Sequence, residues 1–264
     1  MLKRLMDTAA YLLFPRPVHI RWLKRNPSSW LGRHYPGPLI KLDVSPLSEK
    51  IEELAVATHE LGAQPLWTGY GGKTAGQSRR SNDVRTSRVM GNFYASLAVR
   101  RKPKVVVEFG TAFGISGMYW LAGIEANQEG VLLTFEPNEV WAQIAQGNLS
   151  QISSRFTFTQ GTFEDNIDAC LPRGSSIDIA FIDAIHTREF VVPQLNLVAE
   201  RSAPGSLILI DDIEYTSDMK RCWEEIAAEN RFAAAATLGS RVGILELGEA
   251  RTPRVTVSEP ARAG

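Results

Sequence analysis

Cysteine is nearly absent: Cys170 and Cys222 are the only two in 264 residues, too few for a disulfide framework. Neither belongs to a CxxC pair or a Cys/His cluster, so no zinc-type spacing is present, and a reducing cytoplasm is the expected setting. Long apolar runs are absent too. No stretch approaches the ~20 apolar residues of a membrane span. In the opening MLKRLMDTAAYLLF, Asp7 interrupts the apolar segment and no small-residue cleavage site follows, which argues against a signal peptide.

Net charge is also missing, since 29 Lys and Arg balance 29 Asp and Glu. The balance hides an uneven spread. Residues 1–42 hold eight basic residues against Asp7, and 73–104 hold nine against Asp83. Contact of this basic third with an anionic membrane surface or a phosphate-bearing substrate is the sharper reading. Solvated helix faces and pairing with the acidic remainder are the commoner cause of such a pattern. No interleaving of aromatic with basic residues accompanies the charge, so nucleic acid is not an expected partner.

What is present begins with helical spacing of Leu2, Leu5, Met6, Ala9, Leu12 and Leu13, which predicts a short amphipathic helix over 2–14. Residues 15–45 are rich in Pro and Trp, too proline-broken for long elements. A serine-capped helix is expected from about Leu47 to Leu61, a Gly/Ser loop of lid type over 68–83, and a helix over Val84–Arg101. From Lys104 the pattern becomes an alternation of strand and helix. KVVVEFG, GVLLTFEP, FTFTQGTF, IDIAFIDA and SLILIDDI each precede a helical segment, and FAAAATLG with RVGILEL adds a final pair including one reversed strand. This predicts an α/β fold: a Rossmann-like, doubly wound, mostly parallel seven-stranded sheet. Residues 1–83 would form a helical and loop cap, 84–248 the main domain, and 249–264 a weakly ordered tail.

In such sheets the ligand lies outside the carboxyl ends of the strands. Here Glu108, Glu136, Thr162, Asp183 and the pair Asp211/Asp212 fall at that edge. Gly110 and Gly114, in the first strand-to-helix turn, let backbone approach a ligand closely. A dinucleotide fingerprint would need glycine where Ala112 stands, whereas Glu136 suits the two hydroxyls of a ribose. A nucleoside without a pyrophosphate therefore fits better than a nicotinamide dinucleotide, although a nicotinamide-dependent oxidoreductase remains an alternative. Each glycine taken alone is explained by turn geometry.

On these residues the chain, over about 84–247, resembles class I S-adenosylmethionine-dependent methyltransferases. VVVEFGTAFGISG is similar to their glycine-rich first motif, LLTFEP to the acidic second, and QGTFED stands where members contact adenine. IDIAFIDAIH and SAPGSLILIDDI resemble the fourth and fifth strands of catechol, caffeoyl-CoA and macrocin-type O-methyltransferases. The resemblance implies that Glu108, Gly110, Ala112 and Ser116 flank the methionine part of S-adenosylmethionine, with Thr111 and Gly114 also among the cofactor-binding residues. Glu136 beside Pro137 would hold its ribose, Thr162 and Phe163 would border its adenine, and Asp183 would stand near its amino group. It also implies a small-molecule acceptor with a methylatable hydroxyl; relatives are frequently homodimers. A protein of this fold without transferase activity would keep the Glu108 and Glu136 site while needing neither the aspartates nor His186.

Asp183, Asp211 and Asp212 offer hard oxygen ligands that suit Mg²⁺, and three carboxylates converging without a cation would repel one another. Helix capping by one of them is the plainer alternative. These O-methyltransferase relatives commonly carry Asp-Asn where this chain has Asp211-Asp212, although the macrocin-type branch carries Asp-Asp. His186 stands three residues after Asp183, where the catechol-type relatives place a lysine base. An imidazole, with a reference pKa of about 6.5, suits proton removal near neutrality; a local hydrogen bond at a helix start is the alternative. Trp67, Tyr70 and Arg85 are candidate acceptor contacts, and His19, His34 and His59 are expected to serve the surface or packing.

Overall fold

The computed structural model describes residues 17–42, 45–70 and 76–249, without the side chain of Tyr70. The helix expected over 2–14, the centre of the 68–83 loop and nearly all of the tail lie outside them. The elements in chain order are β1 (Val18–Lys24), α1 (Trp30–His34), β2 (Leu39–Ile40), α2 (Ser48–Glu60), β3 (Gln64–Pro65), β4 (Ser78–Arg79), α3 (Ser81–Val84) and α4 (Arg88–Arg101). There follow β5 (Val105–Phe109), α5 (Ile115–Asn127), β6 (Val131–Phe135), α6 (Glu139–Ser150), β7 (Phe156–Thr159), α7 (Phe163–Cys170), β8 (Ile177–Ile182), α8 (Arg188–Glu200), β9 (Ser202–Ile210), α9 (Ser217–Ala228), β10 (Phe232–Leu238) and β11 (Val242–Leu247).

One sheet organises the chain, in the order β2-β1-β10-β11-β9-β8-β5-β6-β7. β7, β6, β5, β8 and β9 run parallel; β11 is antiparallel to both β9 and β10, and β1 is antiparallel to β10 and β2, so β11 and β1 are the reversed strands. Strand order reverses direction at β5, with β6 on one side and β8 on the other, so the crevice of a doubly wound sheet opens above the carboxyl ends of β5 and β8.

The strands are apolar on both faces because helices cover both, as buried parallel strands require. Val106, Leu132, Ile179, Phe181, Leu207 and Leu209 point to a core shared with Phe93, Tyr94 and Leu97 of α4 and Met118, Tyr119 and Trp120 of α5. The alternate residues Val107, Leu133, Ala180, Ile182, Ile208 and Ile210 meet Val191 and Leu195 of α8 and Cys222 and Trp223 of α9. At about 1.5–3 kcal/mol for each large apolar side chain fully buried, these two layers dominate the folding energy. The Tyr94 ring stacks on Trp120 at 4.8 Å and meets Phe181 at 4.9 Å, locking α4 and α5 onto the sheet.

Three sequence expectations need correction. The sheet has nine strands rather than seven, because VHIRWLK alternates buried and exposed residues and pairs antiparallel with β10 as β1, and β2 in turn pairs antiparallel with β1. Pro15 and Pro17 precede that strand and do not interrupt it. The first 83 residues therefore extend the main sheet as well as supplying helices. Second, the 68–83 segment is not all loop: β4 pairs with β3, and α3 follows directly. Third, α4 begins at Arg88, where the Ser87 hydroxyl accepts from Met90 N, and α2 starts without a side-chain cap. The histidines follow the reading made of them: His19 and His34 are exposed and His59 is half-buried, with His34 stacked on Trp30 at 4.1 Å. No helix among the described residues is long and apolar enough to cross a membrane.

Candidate active site

A cavity of about 320 Å³ opens at the carboxyl ends of β5, β6, β8 and β9, roofed by residues from the β3–α4 segment. A second, of about 200 Å³, adjoins it and shares Trp67, Gly110 and Ala184.

The first turn builds the floor. Gly110 has φ +82°, and a Cβ there would lie 2.3 Å from the carbonyl oxygen of Asp183, so β5 and β8 converge only because this residue is glycine. Ala112 adopts φ +48°, an uncommon conformation for a residue with a Cβ. Its N–H donates to Glu136 Oε2 at 2.8 Å, while Asn138 N donates to Oε1 at 2.9 Å. Glu136 is thus pinned at both oxygens at the tip of β6, with lone pairs left for hydroxyl donors. Burial pushes its carboxyl up to about 7, against the pull of those N–H groups. Thr111, Ala112 and Ser116 also line the larger cavity.

Gly114 does not line either cavity. It has φ +84° before α5, and a Cβ there would crowd the backbone of Ala145 on α6, so its role is turn geometry and packing. Glu108 is likewise corrected: it is fully buried beneath the floor and lines neither cavity. Thr134 Oγ1 donates to its Oε2 at 2.8 Å and contacts Thr111 Oγ1 at 2.6 Å, while Oε1 has no hydrogen-bond partner among the described residues. Burial pushes Glu108 up to about 7, opposed by Ser116 and Thr134. Glu108 pairs with Thr134 of β6 and Phe181 of β8, two residues before Glu136 and Asp183, so it lies within the strand and not past its end.

The smaller cavity is walled by Pro137, Phe163, Ile185 and Phe190, with Gly161 and Thr162 at its edge. Thr162 caps α7 by accepting from Asp165 N. A flat heterocycle fits such a slot, next to the carboxylate of Glu136. The pinned Glu136, the close approach at Gly110 and this apolar slot fit an adenosine-bearing cofactor across the two cavities.

On the far side, Asp183 follows β8, and Asp211 and Asp212 follow β9, as the pattern predicted. Their chemistry is not that of a free carboxylate triad. Arg241 donates to Asp211 from Nε at 2.8 and 3.0 Å and from Nη2 at 2.6 Å, and its Nε lies 3.0 Å from Asp212 Oδ1. Burial opposes the charge on Arg241, but the bonds to Asp211 and the charges of Asp211, Asp212 and Asp183 push its pKa up. Asp183 shares a hydrogen bond with Asp211, and burial followed by the Asp211 charge holds its carboxyl well above the usual range. These residues do not fit the expected Mg²⁺: both oxygens of Asp211 are taken by Arg241, and Asp212 Oδ1 faces the same guanidinium. Among the described residues no group of three or more His, Cys, Asp or Glu is placed to hold a metal.

His186 lines the larger cavity, its Nε2 3.5 Å from Asp212 Oδ2 and 3.7 Å from Asp183 Oδ1, beside the exposed ring of Tyr215. Trp67 and Arg85 reach the cavity as expected, Arg85 held by Glu52 at 2.8 Å. The sequence reading missed Asn138, Tyr215 and Arg241. Asn138 caps α6 and donates from Nδ2 to Pro65 O at 2.8 Å, tying the β3–β4 hairpin to the rim; its signal was an Asn just before a helical run. Arg241 carries no comparable signal, being one basic residue in a hairpin turn.

Comparison with known proteins agrees with this architecture. Residues 107–213 match the family model described as a methyltransferase domain. No curated protein matches the chain in sequence. Among solved structures, the O-methyltransferase TomG from Streptomyces achromogenes, involved in tomaymycin synthesis and in complex with S-adenosylmethionine, is 18% identical, with a TM-score of 0.58 over 83% of this chain and 96% of its own. An O-methyltransferase from Bacillus cereus in complex with S-adenosylhomocysteine is 21% identical, with a TM-score of 0.54 over 82% and 95%. The S-adenosylhomocysteine-bound Podospora anserina methyltransferase PaMTH1 is 14% identical, with a TM-score of 0.54 over 78% and 99%. The chain thus has the Rossmann-like fold of these methyltransferases, and the segment from β5 to the end of β9, where the crevice is built, carries the methyltransferase domain match.

Proposed function

We propose that the chain transfers a methyl group from S-adenosylmethionine to a hydroxyl of a small-molecule acceptor, with His186 receiving the hydroxyl proton. When bound, the cofactor supplies an electrophilic methyl group on a sulfonium sulfur. Glu136 would accept from its ribose hydroxyls, the Pro137/Phe163 slot would take the adenine, and Gly110, Ala112 and Ser116 would border the methionine part. The observation that carries the reading is the convergence of Gly110, Glu136, Asp183 and His186 on one crevice within the matched domain.

A phenolic hydroxyl with a pKa of ~10 is only ~0.1% ionised at neutral pH, a cost of about 4 kcal/mol. His186 Nε2 offers a base at the cavity wall, and the carboxylate of Asp212 at 3.5 Å stabilises the imidazolium that forms. No step of this reading passes through a metal ion. Trp67 and Arg85, on the roof, fit a planar or anionic acceptor. The cytoplasmic setting is part of the same reading and rests on free cysteines, Cys222 buried and Cys170 half-buried.

The test is transfer of an isotopically labelled methyl group from S-adenosylmethionine into a panel of hydroxylated small molecules. With an acceptor in hand, His186→Ala is expected to lower kcat by about 10²–10⁴-fold while leaving S-adenosylhomocysteine affinity unchanged. An unchanged kcat would remove His186 as the base.

A further inference from the structure

The acidic cluster at the tips of β8 and β9 already has a counter-charge, delivered from another part of the chain. Arg241 lies in the turn between β10 and β11, and β11 pairs with β9 so that Gly243 faces Ile210. That register brings residue 241 to the tip of β9. Its carbonyl accepts from Ile213 N at 3.0 Å, so backbone and guanidinium grip the same turn. Asp212 adopts φ +51°, an uncommon conformation that leaves its carboxylate between Arg241 and His186.

The geometry points to Arg241 as the resident cation of this cluster: its guanidinium holds the place that a divalent ion would take among Asp183, Asp211 and Asp212. A metal and a guanidinium compete for the same carboxylate lone pairs, and here the two oxygens of the nearly fully buried Asp211 already face a planar donor fork. A lysine could not copy that bidentate pairing. The fixed positive charge compensates the carboxylates without solvent exchange or loss by chelation. Arg241 also lines the larger cavity, and its Nη1 makes no hydrogen bond among the described residues, leaving a donor for an acceptor oxygen. Only that last point rests on the proposed transferase activity; the exclusion of metal stands on the ion pairs alone.

The test uses the full chain and Mn²⁺ alone as probe, followed through the paramagnetic resonance of the free ion. The wild-type protein should leave Mn²⁺ free, and Arg241→Met, with the carboxylates released, should bind one ion at least about tenfold more tightly. Circular dichroism establishes that the variant is folded; if it is not, Arg241→Gln, which keeps a polar group of similar reach, takes its place. Stoichiometric Mn²⁺ binding by the wild type as tight as by the variant would overturn the inference, as would folded variants that bind no ion. Parallel calorimetry with S-adenosylhomocysteine on the wild type separates the two readings: absence of heat there would undo the transferase proposal and leave the Mn²⁺ result to be read by itself.

Discussion

Glu136 shows how a single carboxyl joins burial to ligand affinity. Its pKa is raised to about 7 by burial, so the folded protein favours its protonated form. A carboxyl raised in this way contributes stability that is present below the unfolded value near 4.5 and is lost as pH rises through about 7. Ribose hydroxyls donate to a carboxylate, so binding favours the ionised form and releases a proton at acidic pH. Calorimetric affinity for S-adenosylhomocysteine should accordingly rise with pH, approaching tenfold per unit below about pH 6 and levelling above about pH 8. An affinity flat from pH 5.5 to 8.5 would dissociate Glu136 from the ligand. At this scale Glu136, Asp183 and His186 were readable because each directly follows, or closely follows, an apolar strand. Glu108 looked the same in sequence, but it pairs with Thr134 and so lies two residues before the position of Glu136, which puts it beneath the floor instead of at the rim. The Asp211 pairing was not readable, since its partner lies 30 residues away.

Among the elements, the βα units from β5 to β9 were legible because each strand, turn and helix carries its own local signal. β1 was obscured by flanking prolines, although the alternation in VHIRWLK was available. Its surroundings are held by one buried side chain on another strand: Glu246 of β11 accepts from Trp30 N at 2.8 Å and from Leu31 N at 2.7 Å at the start of α1. Removing both acceptors leaves two N–H groups at a helix start without a partner. Glu246→Ala should lower stability in urea unfolding by about 2–4 kcal/mol, with Glu246→Gln costing less. A loss within 0.5 kcal/mol for the alanine variant would mean that water or neighbouring groups replace the carboxylate.

For the whole molecule, the sheet order assigns the chemistry its location. Reversal at β5 opens a crevice that the β6, β8 and β9 tips line, and the long hairpin of β10 and β11 returns to bring Arg241 to the same rim. The β3–β4 hairpin closes over it, tied down by Asn138. The seven strands β5–β11 and the reversal at β11 follow from local patterns, whereas the edge addition of β1 and β2 depends on a pairing between residues more than 200 positions apart. The account as a whole depends on this crevice binding an adenosine-bearing methyl donor through the carboxylate at the tip of β6. Titrating S-adenosylhomocysteine into the wild-type chain and into Glu136→Ala, by calorimetry at pH 8, tests that directly. One-to-one binding by the wild type and a loss of about 100-fold in the variant, as expected for two hydrogen bonds at ~1.4 kcal/mol each, is the predicted result. No binding by the wild type, or equal affinity in the two proteins, would contradict it.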